Sequence, residues 1–232
     1  MGKIFDPKLI LEYMPEIIKG LPTTLLIFAL VLIISFGLGL GGSVIKLKKV
    51  PVITQLINLI ASYTTNVPSV VQLYIIYYIL PAVLLVLFGI DTNSWDPIVY
   101  VVVTFGVQRG VTLMEGIRAA ILSVPKGQYE AAYAMGLTRF QTFFRIVFPQ
   151  AFKIVLPIVE MLTCTLFKRT SVAYMIGVTD VMSRAIFAGA RIGHNLEAFI
   201  AAALVFAALD LVFVGMFHFV EKHFRYGATR PA

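Results

Sequence analysis

The chain has 232 residues, of which 59% are hydrophobic and only 13% charged, and its mean hydropathy is +0.90. A water-soluble fold of this size has too little interior to hide that much apolar surface, and disordered chains are poor in aliphatics and aromatics, which leaves an integral membrane protein. The net charge of +7 is what Lys- and Arg-rich cytoplasmic loops produce, so no nucleic-acid surface is inferred from it.

Residues 1–20 carry Lys3, Lys8 and Lys19 against Asp6, Glu12 and Glu16 and are net neutral. A secretory signal has a positive n-region and a short apolar core. The run from Leu21 to Ile45 is too long for that and is expected to be a true span. Gly37 and Gly41 within it give a small-xxx-small spacing that brings helices close. Val50–Val67 and the next run together are too long for one crossing and are divided by Ser62–Asn66 and Pro68. The first part either lies at the cytoplasmic surface or enters the membrane obliquely.

Four further runs follow, at about 68–88, 97–124, 152–176 and 198–220. Each is near or above the ~20 residues needed to cross the hydrocarbon. The expectation is therefore an all-α membrane protein, a single domain over 1–232 with about five transmembrane helices and a loop at 125–150. The one cysteine, Cys164, sits in an apolar run and is read as packing; His194, His218 and His223 lie far from other ligands, so no metal site is expected.

Charge orients the spans. The segments 46–66, 123–153 and 218–232 hold 10 Lys/Arg and 2 Asp/Glu, whereas 1–20, 91–97 and 177–197 hold 5 and 7. The basic side faces the cytoplasm, which puts the N-terminus outside and the C-terminus inside.

The longest inside loop runs from Ser123 to Ala151. Pro125 suits a helix start, Gln128–Met135 is rich in helix formers, Gly136 suits a left-handed C-cap, and Thr138 suits an N-cap. Phe140, Phe143, Phe144 and Val147 recur at helical spacing, giving the second segment an apolar face. Such a hairpin is built to dock against another protein.

This loop resembles the EAA motif of permease subunits of ABC importers: Glu-Ala-Ala, three residues, Gly, nine residues, Ile, one residue, Leu-Pro. Here it reads Glu130-Ala131-Ala132, Gly136, Ile146 and Phe148-Pro149, with every spacing kept and only the Leu changed to Phe148. The flanks Val124–Gln128 and Pro149–Ala151, together with Val71-Gln72-Leu73, Glu115-Gly116-Ile117-Arg118 and Lys168-Arg169-Thr170-Ser171, are similar to the polar amino acid branch of that family. The resemblance covers about residues 20–225. Three places depart from it. Thr65-Asn66-Val67 stands where that branch usually has an Arg-Gly-Thr type sequence, Arg169 replaces the Asp of Lys-Asp-Thr-Ser, and Arg109 lies where a small or polar residue is commoner. These departures bear on the substrate rather than on the family.

The resemblance implies the type I importer permease fold in a bacterial inner membrane. It implies a second permease subunit, identical or homologous, a pair of ATPase subunits docked at Glu130, Ala131, Ala132 and Gly136, and an extracytoplasmic substrate-binding protein. The chain contains no Gly-x-x-x-x-Gly-Lys-Ser/Thr phosphate loop and no nucleophile–base–orienter set. It is therefore expected to be non-catalytic, with no cofactor of its own; ATP and Mg would be bound by the partner ATPase.

Charged side chains in hydrocarbon usually face a cavity or a partner. Glu115 and Arg118 share one helix face and are read as a structural ion pair. Glu160 either lines the pathway or pairs with Arg109 or Arg118. Arg109, Lys168 and Arg169 are candidates to attract a substrate carboxylate, with Thr170 and Ser171 adding hydroxyl hydrogen bonds; Lys168 and Arg169 alternatively snorkel to the outer surface. Three cations favour acidic amino acids or their amides, whereas Glu160 keeps a basic amino acid importer as the alternative. A secondary transporter driven by an ion gradient is a further reading. It needs an intramembrane acidic relay, for which Glu115, Glu160 and Asp210 are a thin set.

Overall fold

The computed structural model describes residues 5–92 and 94–225. Lys3 and Arg230 of the charge count, the loop residue Asn93 and the side chain of His223 lie outside the described residues. Within them the regular structure is entirely helical. In chain order it comprises α1 (Pro7–Ile18), α2 (Leu21–Leu47), α3 (Pro51–Asn66), α4 (Ser69–Phe88), α5 (Pro97–Leu122), α6 (Lys126–Ala134) and α7 (Arg139–Thr142). A π-helical turn (Phe143–Val147) leads into α8 (Phe148–Thr170). A 3-10 turn (Ser171–Ile176), α9 (Val181–Ile192) and α10 (Asn195–Arg225) complete the described residues.

Five stretches are long and apolar enough to cross a membrane: Leu21–Leu47, Ser69–Phe88, Pro97–Leu122, Arg139–Ile176 and Asn195–Lys222. The fourth begins earlier than the apolar run suggests, because the π-helical turn joins α7 to α8 without a break. The segments flanking Gly20 and Gly177, expected as outer loops, contain α1 and α9. These two short amphipathic helices pack on the first half of α10, burying Tyr13, Ile17, Val181, Ala185 and Ala198.

α5 is the central helix and is buried along most of its length. Its closest neighbour is α2, and glycine on both helices allows the approach. A Cβ at Gly39 or Gly42 would collide with Leu113 or Met114, and one at Gly106 or Gly110 with Ile34 or Leu38. Gly37 and Gly41, the pair the sequence suggested, face away from every described neighbour. The main core joins α2, α4, α5 and α8 around Phe28 and Phe167, whose rings stack at 3.9 Å.

α3 fills most of the stretch 50–67. It follows the end of α2 and packs beside α5, about 24 Å long at 1.5 Å per residue. It stops at Val67 because a residue before proline is driven to extended backbone; Val67 has φ −98° and ψ 132°. α4 then restarts at Ser69. The break lies against Gln108 in the middle of α5, where Ser69 and Gln108 share a hydrogen bond.

Candidate functional site

Two places concentrate the residues that the sequence singles out. The first is the hairpin after α5. α6 ends in a left-handed turn: Gly136 has φ +79°, Leu137 N–H donates to the Ala132 carbonyl at 3.1 Å, and Gly136 N–H donates to the Tyr133 carbonyl at 3.0 Å. This double closure answers the last free carbonyls of the helix and requires positive φ at the glycine. Thr138 then opens α7 with a reciprocal cap, its Oγ1 accepting from Gln141 N–H and the Gln141 carboxamide oxygen accepting from Thr138 N–H. Gln150 of α8 donates to Gln128 of α6 at 2.5 Å, which ties the hairpin to the span above it. Ala132 is buried beneath the turn, whereas Glu130, Ala131 and Gly136 are exposed. Met135, Phe140, Phe144 and Phe148 are exposed too, forming the kind of apolar patch that marks a protein interface.

The second place is a cavity of about 440 Å³ at the α3–α4 break. It is lined by Thr64–Ser69 from the break, by Gln108, Arg109 and Thr112 of α5, and by Arg169 of α8. None of these lining residues is acidic. Arg169 donates through Nη1 to Ser69 Oγ at 2.5 Å and to Gln108 Oε1 at 3.0 Å. Arg109 is 7% exposed, and its Nε and Nη2 have no hydrogen-bond partner among the described residues. Gln72 donates from Nε2 to the carbonyls of Thr64 and Val67, at 3.0 and 2.6 Å, which holds the break in shape. Ser69, Gln108 and Thr112 were not singled out in the sequence, and Gln72 stood out only within the Val71-Gln72-Leu73 resemblance. Their signal was polarity beside a membrane proline or a membrane arginine.

The three departures from the family pattern all meet here: Thr65–Val67, Arg109 and Arg169 line the one cavity. The other intramembrane candidates lie elsewhere. Lys168 pairs with Asp210 of α10 at 3.4 Å. Thr170 is fully buried and donates to the Phe167 carbonyl, and Ser171 donates to the Lys168 carbonyl. Glu160 is half-buried on α8 and pairs with neither Arg109 nor Arg118. Glu115 is bridged by Lys46 of α2 and, at 3.9 Å, by Arg118. The ion pair expected from the sequence is therefore present, with a second and closer cation. Among the described residues no cluster of His, Cys, Asp and Glu is placed to hold a metal ion.

Residues 33–226 match the profile of the family described as binding-protein-dependent transport system inner membrane component. The L-cystine transport system permease protein TcyL of Bacillus subtilis is 37% identical over 230 residues, which is 99% of this chain and 96% of that protein. The arginine transport system permease protein ArtQ of the same organism is 34% identical, covering 90% of this chain and 92% of its own length. Among solved structures, the crystal structure of an amino acid ABC transporter with histidines superposes with a TM-score of 0.81 at 25% identity, covering 94% of this chain and 99% of that one.

Proposed function

The chain belongs to the family of binding-protein-dependent transport system inner membrane components, as a permease of the polar amino acid ABC importer type, and from that premise we propose how it carries its substrate. It is a multi-pass membrane protein working by alternating access. A pair of partner ATPases grips the Glu130–Gly136 hairpin from the cytoplasm and binds the ATP and Mg. A second permease subunit, identical or homologous, completes the path, and an extracytoplasmic binding protein delivers the amino acid. The chain sits in a bacterial inner membrane with its N-terminus outside and its C-terminus inside.

The observation that carries this reading is the construction of the hairpin. Glu130, Ala131 and Gly136 are presented on a turn closed by its own hydrogen bonds. That turn stands beside exposed Met135 and Phe140 and is bonded through Gln128 and Gln150 to α8. A push on the hairpin is thereby transmitted to the span that holds Arg169. An ion-gradient mechanism is less well served, since Glu115 and Asp210 are occupied by Lys46 and Lys168.

For the substrate, TcyL is named for cystine and ArtQ for arginine, so relatives of similar identity handle ligands of different charge. The lining of the cavity supports a choice. Two arginines and no lining acid favour acidic amino acids or their amides and disfavour basic ones, because ion attraction is strong where water is scarce. The reading is tested by co-expressing the tagged chain with its cognate ATPase and binding protein and reconstituting the complex in liposomes. ATP-dependent amino acid uptake with the ATPase retained on the tag is expected. Uptake by the chain without an ATPase overturns it.

A further inference from the structure

Beyond the transport reading, we propose that the groove between α1 and α9 seats the headgroup of a phospholipid that carries a primary ammonium beside its phosphate, as phosphatidylethanolamine does. The groove has a volume of about 260 Å³ and is lined by Glu12, Tyr13 and Glu16 of α1 and by Arg184, Phe187 and Arg191 of α9, among others. Its charges balance, but only some of them are paired. Arg184 donates through Nη1 to Glu16 Oε1 at 2.5 Å, and Lys19 donates to the other oxygen of that carboxylate at 2.6 Å. Glu12 and Arg191 are both exposed, and the charges of both act on the Tyr13 hydroxyl. Neither side chain has a hydrogen bond or ion pair among the described residues. One free carboxylate and one free guanidinium thus border the same groove without bonding to each other. An ammonium on Glu12 and a phosphate on Arg191 answer both, each through charge-assisted hydrogen bonds. An anionic headgroup answers Arg191 alone, and a trimethylammonium has no N–H to donate to Glu12.

Depth and surroundings favour a lipid over a soluble zwitterion. α1 and α9 pack against Ala198, Ala201, Ala202 and Val205, all within the stretch of α10 that is apolar enough to cross the membrane. The groove therefore lies beside the first turns of a span, at the headgroup level of the leaflet on that side. α1 is also apolar twice. Tyr13 and Ile17 are buried on one face, whereas Leu11, Pro15 and Ile18 recur at helical spacing on the opposite face and are exposed. On α9, Phe187 and Ile192 border the groove and are exposed as well. A short helix with an outward apolar stripe beside charges suits the membrane interface, where that stripe enters the boundary between headgroups and acyl chains. There acyl chains cover Leu11, Ile18 and Phe187 while the headgroup reaches Glu12 and Arg191. A soluble ligand leaves those apolar side chains uncovered.

The experiment uses the permease–ATPase complex in detergent. Native mass spectrometry measures its binding of dioleoyl phosphatidylethanolamine, phosphatidylglycerol and phosphatidylcholine. Phosphatidylethanolamine is expected to bind about ten-fold more tightly than either, the scale of one charge-assisted hydrogen bond. Glu12→Gln should erase most of that preference, and Arg191→Gln should weaken phosphatidylethanolamine and phosphatidylglycerol about ten-fold each. Both positions are exposed, so folding is not at stake. In the membrane, benzoylphenylalanine substituted for Phe187 should capture phospholipid on illumination. The proposal is overturned if phosphatidylglycerol binds as well as phosphatidylethanolamine, or if Glu12→Gln leaves the preference unchanged. It is also overturned if soluble phosphoethanolamine or L-glutamate displaces the lipid at equal concentration, which would make the groove an aqueous site. Capture of the second permease subunit in place of phospholipid would overturn it too, by making the groove a subunit interface. ATP-driven uptake is measured separately on the same complex. A complex that transports but fails the lipid test removes this inference alone, and one that passes it but transports nothing removes the permease reading alone.

Discussion

Lys168 of α8 and Asp210 of α10 face each other at 3.4 Å within two helices apolar enough to cross the membrane. Lys168 lies one residue before Arg169, so the helix turns one cation toward α10 and presents the next to the α3–α4 cavity. Asp210 is only partly exposed and its Oδ1 meets no other partner among the described residues. The pair therefore joins two helices and holds Lys168 apart from the α3–α4 cavity, which it does not line.

Removing one member should harm more than removing both. Asp210→Leu leaves a lysine unanswered at membrane depth, where insertion scales put the penalty at up to about 3 kcal/mol. Lys168→Met combined with Asp210→Leu restores an apolar contact and should recover most of the loss. Thermal unfolding midpoints of the three proteins in detergent check this. A double variant no more stable than Asp210→Leu would show that the pair does not couple.

The hairpin makes a separate prediction. At φ +79° any residue with a Cβ is strained by about 1–2 kcal/mol. Gly136→Asp adds to that strain a charge beside exposed Met135 and Phe140. ATP-driven uptake and ATPase retention on a tagged chain should both fall in Gly136→Asp, while amino acid binding at the distant cavity is unchanged. Normal assembly and uptake would remove the hairpin from the coupling role.

Orientation follows from the charge count and is checked by labelling. With Cys164 replaced by serine, a cysteine at Ser94, in the exposed turn between α4 and α5, should react with an impermeant maleimide in intact cells. A cysteine at Lys126, in the first turn of α6, should react only after permeabilisation. The reverse pattern would invert the chain and detach the ATPase argument from the hairpin.

The crossing helices were readable because apolar length is a local property: α2, α4, α5 and α10 begin within a few residues of the runs that announced them. The hairpin was also readable, since proline, glycine and a capping threonine act on their immediate neighbours. α1 and α9 were not, because they are short and mix charge with apolar residues, and their burial comes from α10, far away in sequence. The cavity was half readable. Arg109 and Arg169 stood out as charges in apolar runs, but nothing local could tell that Arg169 reaches Ser69 and Gln108 while Lys168 reaches Asp210. Which face of a helix carries its packing glycines was likewise invisible, and Gly39 and Gly42 were passed over for Gly37 and Gly41.

That last point is open to a paired test. Gly42→Leu places a side chain where Met114 lies, whereas Gly41→Leu projects into open space. Overpacking of this kind costs about 1–3 kcal/mol, and a substitution without neighbours stays within about 0.5 kcal/mol. The unfolding midpoint should drop clearly for Gly42→Leu only. Equal midpoints would mean that α2 and α5 do not approach through this face.

The last prediction concerns Asp180, which caps α9 at the end of the molecule remote from the hairpin. Its Oδ1 accepts from Ser183 N–H at 2.8 Å, its Oδ2 has no partner among the described residues, and the residue is fully buried against Gly20. Burial raises its carboxyl from the ordinary aspartate value to about 6, outweighing the backbone hydrogen bonds that lower it. The folded protein then holds this proton more tightly than the unfolded chain does, so between about pH 4 and pH 6 the folded state binds more protons and stability falls as pH rises. Above that window the loss is complete, and a shift of about two pKa units corresponds to roughly 3 kcal/mol at most. Asp180→Asn keeps a good capping side chain and removes the titration. It should be more stable than wild type at about pH 7.5 and lose that advantage toward pH 4. Other carboxylates titrate in the same range; Glu16, for one, is held low chiefly by Lys19, which gives the opposite slope. The quantity to read is therefore the difference in unfolding midpoint between variant and wild type across pH. A difference that stays constant from about pH 4.5 to about pH 7.5 would mean that Asp180 is ionised throughout and that its burial exerts no such pull.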